Sequence, residues 1–272
     1  MGKLYVVGTP IGNLGDISPR GLETLEKVDF IAAEDTRVTL KLLNRFEIKK
    51  EMISYYEHNK GLKDSVIIER ILKGESCALV SDAGMPAISD PGEDLVRKAR
   101  EMGIEIESVP GPTAVATALA ISGFPTGRFC FEGFLSVNKL SRKEHLEDVK
   151  NEKRTMVFYE APHKLQATLR DMLNVLGDRE IALVKELTKI HENVFITTFS
   201  EALTYYETNP PKGEFVLIIK GASEEKTEYT LDDAVKLAKG LMDKGESASA
   251  SAKEAAKITG IKKGDIYKEI LN

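Results

Sequence analysis

The 272-residue chain has no apolar run approaching the roughly 18 residues that a membrane-spanning helix needs, so no span is expected. Cysteine is scarce. Cys77 and Cys130 lie far apart, each inside an apolar run, and read as two buried thiols rather than a disulfide. There is no C-x-x-C, and His58, His145, His163 and His191 are scattered without metal-ligand spacing, so no metal site is expected. Residues 1–7 run straight into a strand-like segment, without the basic, apolar and small-residue regions of a secretory signal. Val6 also breaks the myristoylation pattern. A cytoplasmic location is the expectation.

Several catalytic signatures are missing too. Gly8-Thr-Pro-Ile-Gly12 is not G-x-G-x-x-G, and no G-x-x-x-x-G-K-[ST] occurs. No G-x-S-x-G elbow and no H-E-x-x-H is found. Dinucleotide oxidoreductase, P-loop, serine hydrolase and zincin readings lose their usual support. An excess of positive charge is absent as well. The net charge of −5 counts against gripping naked RNA by bulk charge. Lys49-Lys50, the Lys139/Arg142/Lys143 group and Lys262-Lys263 remain as local clusters, each readable as a phosphate patch or as a solvated helix face.

What is present is an ordinary globular composition, 42% hydrophobic and 30% charged, long enough for two domains and a small appendage. Apolar runs at 4–7, 30–33, 77–80 and 104–109 predict strands, and the spacing at 19–28, 38–46, 63–73 and 92–102 predicts helices. That alternation favours an α/β domain with a largely parallel sheet over residues 1–120. A second α/β domain is expected over 121–221, after a hinge near 121–127. Its strands fall at 155–160, 180–187, 194–199 and 214–220, its helices at 141–150, 162–176 and 200–208. Adjacent antiparallel strands near 190–199 make its sheet mixed. Residues 222–230 read as a polar linker. Helical patterns then follow at 231–244, 252–259 and 263–271, readable as a helix-turn-helix or as a small packing bundle.

Three Gly/Pro-rich loops each follow a predicted strand: residues 8–14, 81–92 and 109–114. In parallel α/β sheets ligands bind beyond the carboxyl ends of strands, where glycine permits close backbone approach. Three such loops predict one shared cleft, suited to a ligand with an amino-acid head and a nucleoside.

The quoted loops, with A-E-D-T-R at 33–37, F-Y-E-A-P-H at 158–163, K-E-L-T-K at 185–189 and G-E-F-V-L at 213–217, resemble the tetrapyrrole methylase superfamily. Within it they resemble the ribosomal small subunit methyltransferase I family, in order and over residues 3 to about 220. Met85 stands where that family commonly has Thr. The resemblance implies two α/β domains with a cofactor cleft and a helical C-terminal extension. It also implies a homodimer and S-adenosylmethionine-dependent 2′-O-methylation of a cytidine ribose in the decoding region of 16S RNA, without a metal and without a membrane. Carried over by motif, the cofactor contacts are Pro10, Asp82, Ala83, Gly84, Ile88, Thr113, Ala114, Tyr159, Glu160, Leu187, Phe215 and Val216.

Methyl transfer from a sulfonium needs positioning and a group to take the hydroxyl proton. Candidates are Glu34, Asp35, Arg37, Glu160, His163 and Lys189, with Lys185 and Glu186 beside them. Asp35 and Arg37 are equally readable as an ion pair capping the following helix, Glu160 as a cofactor contact, and Arg37 and Lys189 as phosphate grips. Two other function classes stay open: methylation of a tetrapyrrole carbon, or of a protein group, and a non-catalytic RNA-binding assembly factor. The acidic net charge points to an assembled small subunit as partner rather than bare RNA.

Overall fold

The structure is a computed structural model that describes residues 2–223 and 229–271. It falls into two compact units, Met1–Ala222 and Ser223–Asn272. The first half of unit one alternates β1 (Lys3–Val7), α1 (Pro19–Lys27), β2 (Phe30–Ala33), α2 (Thr36–Arg45), β3 (Glu51–Ser54), α3 (Lys60–Leu72), β4 (Cys77–Val80), α4 (Glu93–Glu101) and β5 (Glu105–Val109). All pairings are parallel, in the order β3-β2-β4-β1-β5. Helices cover both faces, which is why β2 and β4 are unbroken apolar runs rather than alternating ones. Phe30, Ala32, Cys77 and Leu79 face one core. Ile31, Ala33, Ala78 and Val80 face the other.

Helix α5 (Ala114–Ser122) follows, then β6 (Phe129–Phe134), α6 (Lys139–Asp148), β7 (Thr155–Glu160), α7 (Leu165–Leu176), β8 (Glu180–Lys185), β9 (Asn193–Thr198), α8 (Phe199–Thr208) and β10 (Phe215–Ile219). The second sheet has the order β6-β7-β10-β8-β9 and is mixed: β6 and β7 are parallel, the other pairs antiparallel. Its alternation is clean. Met156, Phe158, Ile181, Leu183 and Leu217 pack under α7 and α8, while Val157, Ala182, Val184, Val216 and Ile218 pack under α5.

Several expected boundaries move for local reasons. Helix α2 begins at Thr36 because the Asp35 side chain caps it, accepting from the Arg37 N–H. Helix α7 begins at Leu165, three residues later than its periodicity suggests, so His163 lies on a turn. Strand β8 stops at Lys185, where Glu186 turns into the left-handed region. Three of these elements escaped the sequence reading. Strand β3 is a four-residue sheet edge, α5 is apolar all round and shows no helical stripe, and β6 is broken by an irregularity between Phe131 and Gly133. Of the two thiols Cys77 is buried, whereas Cys130 is only half-buried.

The second unit packs α9 (Leu231–Met242), α10 (Ala248–Thr259) and α11 (Lys263–Leu271) around Ala234, Ala238, Ala252, Ala255 and Ile266. Thr230 and Asp233 form a capping box on α9. The serine-alanine tract is itself helix, capped by Ser247, so α10 starts four residues before the predicted 252. Gly260, with φ 73°, ends α10 before the turn into α11. The central part of the expected linker, residues 224–228, lies outside the described residues.

Candidate functional site

The parallel sheet brings its three Gly/Pro-rich loops together. The Gly8 N–H donates to the Val109 carbonyl at 3.0 Å, joining the first loop to the third. Thr9 and Gly84 exchange N–H···O bonds of 2.9 and 3.1 Å, joining the first to the second. The contact is close enough to require glycine. A Cβ on Gly8 would sit 2.7 Å from the Gly111 Cα and from the Met85 Sδ, and one on Gly111 would sit 2.8 Å from the Gly8 carbonyl. In the second loop Ala87 and Ser89 adopt φ of 67° and 59°, left-handed values that non-glycine residues hold only where the surroundings impose them.

Between these loops and the α5-covered face of the second sheet lies a cleft of about 720 Å³. That is within the roughly 300–1,000 Å³ usual for small-molecule pockets. The first half supplies Ile11, Glu34, Asp82, Ala83, Gly84, Met85, Ile88 and Asp90, and the third loop with α5 supplies Thr113 to Ala116. The second sheet adds Phe129, Phe131, Phe134, Tyr159, Glu160, Ala161, Pro162, Val184, Leu187, Glu214, Phe215 and Val216. Eleven of the residues carried over by motif therefore line one cleft, and Glu34 joins them. Five expected residues do not: Pro10, Asp35, Arg37, His163 and Lys189.

Each of the five has a physical reason for its place. Pro10 is buried in the loop, and its neighbour Ile11 reaches the cleft instead. The Arg37 guanidinium, 87% exposed, turns back on Asp35, with Nε–Oδ1 at 3.0 Å. That partner holds the Asp35 carboxyl down at about 2. The cap-and-ion-pair reading of these two residues describes their geometry. His163 is exposed on its turn. The Lys189 ammonium bonds the Glu186 and Glu214 carboxylates at 3.0 and 2.9 Å, and Glu186 also accepts from the Glu214 N–H at 3.0 Å. This lattice fixes a turn with left-handed φ at Glu186 and Thr188, and between them Leu187 enters the cleft.

The cleft is acidic at one side. The Asp82 carboxylate accepts from the Asp35 N–H at 3.0 Å, and the Glu34 carboxylate accepts from the Asp82 N–H at 3.3 Å, tying the ends of β2 and β4. Burial raises both carboxyls above their ordinary range, and each is raised further by neighbouring carboxylates. Asp90 is pushed up to about 6, by burial first and then by Glu34 and Asp82. Glu160, 4% exposed, has both oxygens engaged, by the Ala161 N–H at 2.8 Å and by the Thr168 hydroxyl. It is a buttress in the cleft wall.

The opposite side is aromatic, which sequence inspection missed. Strict alternation along β6 would put Phe129, Phe131 and residue 133 on one face. The register shifts between Phe131 and Gly133, and Gly133 takes φ 66°, so Phe134 joins Phe129 and Phe131 in the cleft. Phe131 and Phe134 contact the Tyr159 ring at centroid distances of 5.0 and 5.3 Å. The glycine inside F-C-F-E-G-F was the signal available for the bulge.

Two sheets with a cleft at the strand ends are the architecture of a methylase class, and the model described as Tetrapyrrole (Corrin/Porphyrin) Methylases matches residues 3–203. Solved structures agree on the fold. Diphthine synthase superposes with a TM-score of 0.62 at 14% identity, covering 80% of this chain and 89% of its own. The methyltransferase CobJ gives 0.62 at 18%, covering 82% and 95%. Nearer in sequence are proteins named ribosomal RNA small subunit methyltransferase I. The Synechocystis sp. protein is 45% identical, over 98% of this chain and 96% of its own. The Thermotoga maritima protein is 48% identical, over 81% and 99%. The Escherichia coli O157:H7 protein is 42% identical, over 99% and 95%. The chain belongs to the ribosomal RNA small subunit methyltransferase I family within the tetrapyrrole methylases.

Proposed function

We propose that this protein uses S-adenosylmethionine to methylate the ribose 2′-oxygen of a cytidine in the decoding region of small-subunit ribosomal RNA. The observation that carries this reading is the one cleft into which the strand-end loops and the second sheet both project, in a chain related over nearly its whole length to proteins of that name.

The residues present fit the cofactor. Its sulfonium and ammonium groups are cations, and the cleft carries Glu34 and Asp82. Its carboxylate suits the amino end of α5, where the helix dipole favours an anion. Its adenosine suits the apolar wall of Tyr159, Leu187, Phe215 and Val216. Asp82, Ala83, Gly84, Ile88, Thr113, Ala114 and that wall are the holding residues, with Glu160 tying the end of β7 to the Ala161 N–H and the Thr168 hydroxyl. When bound, the cofactor supplies an electrophilic methyl group. The chain's own work is then to orient, to exclude water and to receive a proton.

The aromatic side suits the acceptor nucleotide. Phe134, 56% exposed at the cleft, offers a face on which an unstacked cytosine can lie. Stacking of a base on an aromatic ring contributes roughly 1–3 kcal/mol. Phe134→Ala is therefore expected to raise KM for the RNA substrate about tenfold, leaving S-adenosylhomocysteine affinity unchanged in calorimetry. An unchanged KM would remove Phe134 from acceptor binding.

The partner in this reading is an assembled small subunit, and the protein acts in the cytoplasm as a homodimer, which sedimentation of the purified protein tests. The activity test uses labelled S-adenosylmethionine and small subunits that lack the modification, followed by digestion to nucleosides. Label in 2′-O-methylcytidine is expected. Protein that binds the cofactor yet labels no nucleoside would overturn the reading, and a porphyrinoid or protein acceptor would then be sought.

A further inference from the structure

Nearly every carboxylate of the cleft is already committed to the protein's own chain. Glu34 holds the Asp82 N–H, Asp82 holds the Asp35 N–H, Glu160 holds the Ala161 N–H and the Thr168 hydroxyl, and Glu214 holds Lys189. Asp90 differs among the described residues that line the cleft. The Ser81 hydroxyl lies close enough to favour its charged form but donates to the Ala83 carbonyl at 3.3 Å, and no backbone N–H or cation is seen to neutralise the carboxyl. It lines the cleft together with Glu34 at the end of β2, Asp82 in its own loop and Tyr159 on β7 of the other sheet.

The loop that carries Asp90 is also closely packed. Ala87 and Ser89 are held left-handed, and a Cβ on Gly92, at φ 136°, would lie 2.7 Å from Leu79 and 3.2 Å from Ala87. Gly133 of the β6 bulge abuts the Ser89 hydroxyl, which a Cβ there would approach to 3.1 Å. The Asp90 segment is thus packed against the aromatic bulge through Ser89, and Asp90 itself lines the cleft with the acidic side chains. Preorganisation of this kind is what a proton-transfer group requires.

We propose that Asp90 takes the proton from the acceptor hydroxyl in this cleft, an inference that rests on the methyl-transfer reading above. The carboxylate removes the hydroxyl proton while the oxygen's electron pair forms the bond to the transferred methyl carbon. The carbon–sulfur bond breaks with its electrons left on sulfur, so the sulfonium becomes a neutral thioether, and the proton later passes from Asp90 to water.

The groups around Asp90 give a pH dependence with a definite sign. Burial, Glu34 and Asp82 raise its carboxyl to about 6, with Ser81 opposing, while Arg37 acts on Asp82. A carboxyl raised in the folded state favours the fold below its unfolded value, and that advantage is lost as pH rises through about 6. Asp90→Asn carries no such charge. The ligand-free variant is therefore expected to melt progressively higher than wild type as pH rises from 4 to 7.

The test compares wild type, Asp90→Asn and Asp90→Glu on small subunits. Wild-type single-turnover rates should rise with pH and level off above about 6. Asp90→Asn should lose roughly 10²- to 10⁴-fold in rate and lose that inflection. It should still bind S-adenosylhomocysteine within about twofold of wild type, and Asp90→Glu should recover part of the rate. An Asp90→Asn protein with the wild-type rate or an unchanged inflection overturns the proposal. So does one whose loss is confined to cofactor affinity, because Asp90 would then be a cofactor anchor. Absence of wild-type methylation is a separate result, which sinks the methyl-transfer reading and this role with it.

Discussion

Gly111→Ala is expected to lower stability by about 3 kcal/mol and to weaken S-adenosylhomocysteine binding at least roughly tenfold. The added Cβ has nowhere to go. It would lie 2.8 Å from both the carbonyl carbon and the oxygen of Gly8, and 2.9 Å from its Cα, and these are backbone atoms rather than the end of a flexible side chain. Relieving the clash means pushing the third loop from the first. The first is bonded to the second through Thr9 and Gly84, so the displacement reaches all three. Thr113 and Ala114, two and three residues beyond Gly111, line the cleft and move with it. Denaturant unfolding and calorimetry check the two halves separately. A variant with wild-type midpoint and affinity would show that the loops are not locked at this contact.

Lys98→Met is expected to cost about 3 kcal/mol, although the residue is remote from the cleft lining. Its ammonium pairs with Asp64, whose side chain is 1% exposed. The other Asp64 oxygen accepts from the buried Tyr55 hydroxyl at 2.8 Å. Removing the lysine leaves a buried carboxylate with a phenol alone to stabilise it, and an uncompensated buried charge is among the costliest single defects. Asp64→Ala should be similarly harmful for a different reason. It leaves the Tyr55 hydroxyl, in a fully buried residue, without its acceptor, a loss of roughly 1–3 kcal/mol. Because both changes break one network, the double variant should cost clearly less than their sum. Additive losses in urea unfolding would show that the three groups do not act as a unit. The network joins α3, α4 and the residue after β3, whose N–H donates to the Ala33 carbonyl at 2.7 Å.

The legible and illegible parts of this molecule separate by mechanism. Strands β1, β2, β4, β7 and β10 were readable because burial on both faces, or between α5 and α7, demands unbroken apolar runs. The loops were readable because glycine and proline mark places where the backbone must turn tightly or approach another chain segment. Helix α5 was not, because a helix of small apolar residues pressed on a sheet has no polar face to set a period. Strand β3 was not, because four residues at a sheet edge, one of them glutamate, give too little signal.

Charged residues were the least legible. Asp35, Arg37 and Lys189 sit in segments rich in candidate chemistry, yet each spends its charge on a neighbour: a helix cap, a guanidinium pair, a two-carboxylate clasp. Asp90 stands in the same 81–92 loop as Asp82 and looks equivalent in sequence. Burial and nearby carboxylates set it apart, and these are distances across space that no local pattern encodes.

The sequence by itself determined the alternating α/β order, the mixed second sheet, the three strand-end loops and the family, because periodicity, glycine placement and motif order are properties of neighbours along the chain. The tertiary structure alone decided which of those loops' groups face the cleft, that a bulge in β6 adds Phe134 to it, and which carboxylates remain uncommitted. Those outcomes depend on hydrogen bonds and burial between residues tens of positions apart, and a linear pattern carries no record of which partner each charge will find.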